Sequence, residues 1–255
     1  MGEITALALS AGGMFGAYQA GVWKALANEI RPDLVVGASV GALNGWAIAG
    51  GCGGEELERY WLDERRRLGL AFPRSVWDGV LDSAALDRTV KELFEAFRPR
   101  IRYAVVATDL FKLRPRIFEG EEVSWQHLAA SCAAPGCFEQ RRIGGRIYSD
   151  GGLLSALPAW AARELGATRI IAVNALPRAP SVVIGMLAGG MRRISGFRPE
   201  LSEAPGALRI EPREPLGSLT DMLRWNRSKI ARWIAQGERD GGALKHLFSK
   251  CFERE

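Results

Sequence analysis

The stretch Leu34-Val35-Val36-Gly37-Ala38-Ser39-Val40-Gly41-Ala42-Leu43-Asn44 constrains this chain more than any other. Its apolar start reads as a short strand, a serine stands at the apex of a turn, and a helix begins at once. Backbone that reverses so sharply needs small neighbours, and Gly37 and Gly41 flank Ser39 in G-x-S-x-G spacing. Such an elbow lifts the hydroxyl above the sheet edge. It also aims the unpaired N–H groups and positive dipole end of the next helix at that hydroxyl. A chain with 30 glycines meets the spacing by chance, so the flanking strand and helix carry the interpretation. From this stretch alone two interpretations stand: a nucleophilic serine, or a small residue in a tight turn between strand and helix.

The surrounding sequence supplies a matching scaffold. Glu3 to Ser10 reads as a first strand, Gly12 to Gly16 as a turn, and Ala17 to Asn28 as a helix with Tyr18, Val22 and Leu26 on one face. Arg31-Pro32-Asp33 breaks that helix and launches the elbow strand. The elbow helix runs from about Val40 to the glycine-rich loop Gly50–Gly54, and a charged helix follows over Glu55 to Arg67. Further helices are expected over Asp82–Phe97, Ser124–Cys132 and Pro158–Leu165. Strands are expected over Arg102–Thr108 and Arg169–Asn174, with a hairpin edge at Gly144–Tyr148. Strands alternating with helices imply an α/β fold around a mostly parallel sheet covered on both faces. From Pro177 to Pro215 the pattern loosens around the apolar patch Val182–Met191. After it, Leu219, Met222, Leu223, Ile230, Trp233 and Ile234 mark one face of a helix closing at Gly237. Arg224, Arg227, Lys229 and Arg232 lie off that face and read as solvated.

Composition narrows the class. A length of 255 residues with 47% apolar and 25% charged residues suits one α/β domain with a sizeable core. Glu3 stands where a signal peptide would be basic, Ile4–Leu9 is too short for its apolar core, and no run is long enough to span a bilayer. These features read as cytoplasmic. Cys52, Cys132, Cys137 and Cys251 lack C-x-x-C spacing and histidine companions, which argues for reduced thiols rather than a metal site. The net charge of +5 is compatible with peripheral contact with an anionic membrane surface. No basic cluster interleaved with aromatics suggests nucleic acid.

The decisive count is histidine, because His127 and His246 are the only two and a Ser-His-Asp enzyme needs one of them as base. Two other places offer complementary chemistry. Gly12-Gly13-Met14, between strand and helix, can turn successive backbone N–H groups into one cavity, as an oxyanion hole requires. The same turn also suits a phosphate loop or a plain tight connection. Asp150-Gly151-Gly152 puts a carboxylate on sharply bent backbone, where it could act as base if desolvated and close to Ser39; the same triplet is ordinary turn chemistry.

In sequence order, the chain carries Ser10-Ala11-Gly12-Gly13-Met14-Phe15-Gly16, the elbow Gly37–Asn44, Ala107-Thr108-Asp109, Ala129-Ala130-Ser131-Cys132-Ala133-Ala134-Pro135-Gly136, and Tyr148-Ser149-Asp150-Gly151-Gly152 leading to Pro158. Together these resemble the patatin-like phospholipases. The resemblance implies a patatin-like α/β/α three-layer sandwich and hydrolysis of lipid acyl esters by a Ser-Asp dyad without histidine, metal or cofactor. Ser39 would be the nucleophile, Asp150 the base, and the amides of Gly12, Gly13 and Met14 the oxyanion hole, with Gly37, Gly41, Gly151 and Gly152 shaping the loops. Residues 1–255 would form one acyl hydrolase domain: a motif core at about 4–174, an irregular lid-like segment at 177–215, and C-terminal helices at 219–255. One departure stands out. The family's first loop usually continues through more glycines into a basic residue, where this chain has Met14-Phe15. The same residues could serve acyl transfer to another alcohol, or lipid binding without catalysis.

Overall fold

The computed structural model describes residues 2–66, 81–177, 182–198 and 207–245. In chain order the elements are β1 (Thr5–Leu9), α1 (Gly16–Leu26), β2 (Leu34–Ala38), α2 (Val40–Ala49), α3 (Gly54–Leu62), α4 (Ser83–Ala96), β3 (Arg102–Asp109), β4 (Arg114–Glu119), α5 (Trp125–Ser131), β5 (Arg141–Ile143), β6 (Arg146–Ser149), α6 (Ala159–Glu164), β7 (Arg169–Val173), α7 (Val182–Ser195), β8 (Ala207–Ile210), α8 (Leu219–Leu223) and α9 (Arg227–Gly242). The strands form one sheet in the order β5-β6-β3-β2-β1-β7-β8, with β4 added alongside β3. The strands β3, β2, β1, β7 and β8 are mutually parallel, and β4, β6 and β5 join through antiparallel pairings.

Both faces of this sheet are covered, so its central strands are buried at every position and show no alternation in sequence. Successive residues nevertheless serve opposite layers. Leu7, Leu9, Val35, Val105 and Val173 pack into the larger core with α1, α2, α4, α5 and α9. Ala6, Ala8, Val36, Val106 and Ala172 pack on the other face against Ala159, Ala161 and Ala162 of α6. The result is the expected helix–sheet–helix sandwich around a mostly parallel sheet.

The strand order places the site. The chain steps from β1 to β2 on one side and later returns to β7 on the other, so the topological switch point, where α/β sheets open a crevice, lies between the carboxyl ends of β1 and β7, with the end of β2 next to it. β3 outruns β2, whose last residue Ala38 pairs with Val106. β4 holds one edge of β3 out to Asp109, so β6 takes the edge that β2 leaves vacant, pairing Ser149 with Thr108. Because β6 runs antiparallel to β3, its exit at Asp150 heads back toward the end of β2.

The structure corrects several sequence expectations. The region 177–215 is not irregular throughout: it contains the 14-residue helix α7 and the strand β8, which extends the sheet beside β7. Its prolines fall outside both elements, and β8, at four residues, is too short to announce itself. β4 was not anticipated, since Arg114–Glu119 alternates on an exposed edge with a proline inside it. The C-terminal helix is two helices broken at Arg224–Asn226, and Asn226 caps α9 by accepting from the Lys229 amide. The cations read as solvated are partly used: Arg227 donates to Leu62 O, Arg232 to Leu216 O, and Lys229 pairs with Asp221. His246 and Cys251 lie outside the described residues.

Gly237 does not close α9 but lets it pack. A Cβ there would stand 2.0 Å from Tyr18 O, and one at Gly21 would stand 1.9 Å from Ile234 O. α1 and α9 therefore cross backbone to backbone, which holds α1 against the sheet. We expect Gly21→Ala to destabilise by about 3 kcal/mol or more, because rigid backbone must move. Gly242→Ala, at the end of α9 with open space around it, should instead gain about 0.5 kcal/mol. Urea unfolding of both variants checks the pair, and equal effects would contradict it.

Candidate active site

Ser39 sits between β2 and α2 with φ 54° and ψ −129°, a conformation that costs a non-glycine residue on the order of 1–3 kcal/mol. The surrounding contacts enforce it. The Ser39 amide donates to Ser131 Oγ at 2.8 Å, and the Ser131 hydroxyl donates onward to Val106 O at 2.6 Å. The end of α5 thus pins the elbow to β3. Close backbone passage explains the flanking glycines. A Cβ at Gly37 would stand 2.3 Å from Gly41 O, and one at Gly41 the same distance from Leu9 O.

Asp150 arrives from β6. Thr108 Oγ1 donates to its carbonyl at 2.8 Å, its own amide donates to Ala133 O, and the Gly151 amide donates to Ser131 O. Gly151 and Gly152 are needed for fit: added Cβ atoms would meet Val106 O at 2.1 Å and Ala11 Cβ at 2.3 Å. Asp150 is 7% exposed, and burial raises its pKa to about 6. Hydrogen bonds from the Ser39 hydroxyl and the Gly152 amide oppose that rise, the latter at 2.7 Å to Oδ1. Ser39 and Asp150, 111 positions apart in sequence, therefore meet side chain to side chain at the carboxyl ends of β2 and β6.

The glycine loop lies beside them. Gly13 has φ 53° and opens a short 3-10 turn, Gly13–Phe15, ahead of α1. The amides of Gly12, Gly13 and Met14 donate to no protein acceptor among the described residues, and neither does the Val40 amide at the start of α2. Ser10 and Gln19 secure the loop from behind: Ser10 Oγ accepts from the Ala175 amide, and Gln19 Nε2 donates to Ser10 O. Asn44 ties the two helices together by donating to Gly16 O and Gln19 Oε1. Met222 of α8 rests on the loop, where a Gly13 Cβ would meet its carbonyl oxygen at 2.5 Å. Met14 and Val40 also border an apolar pocket of about 110 Å³, whose walls include Leu43, Leu57, Leu86 and Leu93, with Trp61 and Trp225 at its side.

Other candidates stand apart from this chemistry. His127 is a capping residue on α5: its Nδ1 lies 2.9 Å from Ser124 Oγ and its ring packs on Phe118, while burial lowers its pKa. Cys132 lies close to the Ser39 hydroxyl, but burial and the Asp150 charge push its thiol well up, so it stays protonated and a poor nucleophile. Asp109 anchors a loop, accepting from the Phe111 and Lys112 amides and pairing with Arg146. Sequence reasoning assigned no role to Ser131, Gln19 or Asn44. Ser131 and Asn44 were visible only as members of matched motifs, and Gln19 was hidden as a polar residue within an apolar helix.

Residues 7–163 match the family described as "Patatin-like phospholipase", and the chain belongs to that family. It is 29% identical over 189 residues to the mouse (Mus musculus) patatin-like phospholipase domain-containing protein 6, an alignment covering 68% of this chain and 14% of that protein. It is 32% identical over 179 residues to an NTE family protein of Mycobacterium tuberculosis, covering 66% of this chain and 48% of the relative. The chain thus matches about half or less of these relatives' lengths. The crystal structure of VipD from Legionella pneumophila superposes over 96% of this chain and 67% of its own with a TM-score of 0.54 at 13% identity, a likeness of fold.

The raised pKa makes the site a source of instability with a definite pH window. Asp150 moves from 3.8 to about 6 on folding, so its protonated form favours the fold. That contribution is complete below about pH 4 and lost as pH rises through 6. Asp150→Asn should therefore stabilise the protein by roughly 3 kcal/mol at pH 8 and hardly at pH 3.5. Unfolding at the two pH values measures the difference, and no gain at pH 8 would contradict the buried charge.

Proposed function

We propose that this protein is a serine lipid acyl hydrolase that cleaves carboxylic esters of phospholipids, lysophospholipids or related acyl lipids through a Ser39–Asp150 dyad. The observation that carries this reading is the strained elbow serine facing a buried carboxylate whose pKa lies near 6. A carboxylate poised there is ionised at neutral pH yet more basic than an exposed one, which suits a general base.

In the first step Asp150 takes the Ser39 proton as Oγ bonds to the ester carbonyl carbon. The carbonyl electron pair moves onto oxygen, where the amides of Gly12, Gly13 and Met14 and the α2 N-terminus would receive it. Collapse expels the alcohol, which takes the proton from Asp150, and leaves Ser39 acylated. Water then gives a proton to Asp150 and attacks the acyl carbon, and Ser39 leaves with that proton as the fatty acid is freed. The pocket edged by Met14 and Val40 offers an apolar place for the acyl chain.

A fluorophosphonate should label Ser39, and Ser39→Ala should abolish both labelling and hydrolysis of a short aryl ester. Asp150→Asn should lower kcat/KM by about 10²–10⁴-fold. In the wild-type protein kcat/KM should fall about tenfold per pH unit below 6 as Asp150 protonates. Labelling at a residue other than Ser39, or Asp150→Asn activity near the wild-type level, would overturn the dyad.

A further inference from the structure

We infer that the loop after β3 and the helix α7 together form a docking surface for an anionic lipid bilayer, at the same end of the sheet as Ser39. This rests on the lipid-hydrolase reading for its biological sense but not for its evidence. The exposed large hydrophobic residues among those described are Phe111 at 66%, Met186 at 65% and Ile194 at 77%. Single exposed apolar residues are ordinary, but these three lie on two adjoining segments. Arg114 Nε donates to Ser195 O at 3.3 Å, joining the start of β4 to the end of α7 and bringing Phe111 and Ile194 to one region. Met186 lies eight residues earlier on α7, about 12 Å along its axis.

The position of this patch follows from strand lengths. β2 and β3 are parallel and in register through Ala38 and Val106, and β3 then continues to Asp109. At about 3.3 Å per residue, the following loop begins roughly 10 Å beyond the level of Ser39. The loop is also built to hold its shape. The Asp109 carboxylate is buried, accepts from both the Phe111 and Lys112 amides, and pairs with Arg146 at 2.8 Å. Those bonds, against the upward pull of burial, keep its pKa below the usual carboxyl value. Phe111 is therefore held outward by a buried charge at its base.

Charge identifies the occupant. Lys112 and Arg114 border Phe111; Arg192, Arg193 and Arg198 accompany Ile194; and neither Leu110–Arg114 nor Val182–Arg198 contains an acid. None of these five cations forms an ion pair among the described residues, although ion pairs are common elsewhere on the surface. Protruding apolar side chains accompanied by cations that have no ion pair among the described residues match a bilayer interface, where hydrocarbon lies beneath anionic head groups. Each cation contributes about fivefold to binding such a surface.

Vesicle flotation tests this directly. Vesicles of phosphatidylcholine alone are compared with vesicles in which one lipid in three is phosphatidylglycerol. Wild-type protein should bind the anionic vesicles in preference, and added salt should weaken that binding. Arg192→Ala with Arg193→Ala should lower it about 30-fold, and Phe111→Ser with Ile194→Ser should lower it at least tenfold. Both double variants should hydrolyse a soluble aryl ester within twofold of wild type while losing activity on vesicles. Wild-type protein that ignores both vesicles, as expected of a surface made for an acidic protein, would overturn the proposal. So would variants that bind like wild type. Anionic-vesicle binding without ester hydrolysis would sink the hydrolase reading and leave the docking surface standing.

Discussion

Three backbone segments must pass within van der Waals contact at the carboxyl end of the sheet, and most of the structure serves that closure. The turn after β1, the elbow after β2 and the bend after β6 approach so closely that a single added carbon at Gly37, Gly41, Gly151 or Gly152 would meet a neighbour 2.1–2.3 Å away. The sheet order creates the meeting point by placing β1 beside β2 and by letting β6 replace β2 along β3. Ser131 locks it, since one hydroxyl accepts from the Ser39 amide and donates to β3. The closure also excludes water from Asp150, and it is that exclusion which raises the carboxyl pKa. Geometry and basicity thus have a common origin.

Stability and chemistry pull in opposite directions here. A strained serine, an ionised carboxylate with little access to water, and a row of amides without protein acceptors are each unfavourable in an isolated fold. The large core beneath α1, α2 and α9 offsets them, and its helices are unusually close: α1 is buried at ten of its eleven positions. Polar residues inside that core are fully engaged in positioning. Gln19 and Asn44 link the glycine loop, α1 and α2, and Trp61 donates to Asn44 Oδ1 at 3.0 Å from α3. A change in this network would reach the loop without touching a substrate.

Much of this was legible in the sequence, and the exceptions have physical reasons. The elbow, the glycine pair and Asp150 were readable because tight turns admit few residue types, and the shortage of histidine directed attention to a carboxylate. The strands β1, β2, β3 and β7 were readable as apolar runs between helices. β4 and β8 were not, because an edge strand with one covered face and a four-residue strand owe their existence to pairing partners rather than to pattern. Gly237 was misread as a helix end because glycine signals both termination and close packing, and only the neighbouring helix decides. Ser131 could not be assigned a role, since its two hydrogen bonds join residues 25 and 92 positions away.

The chemistry of this site depends on the ionisation of one buried side chain. Carbon-13 NMR of the Asp150 carboxyl in the folded protein, titrated with pH, reads it without reference to substrate. A midpoint near 6 is predicted, moving upward in Ser39→Ala because the hydroxyl no longer donates to the ionised form. A midpoint near 4 that is indifferent to Ser39 would mean a solvated turn residue, and the dyad would have to be abandoned.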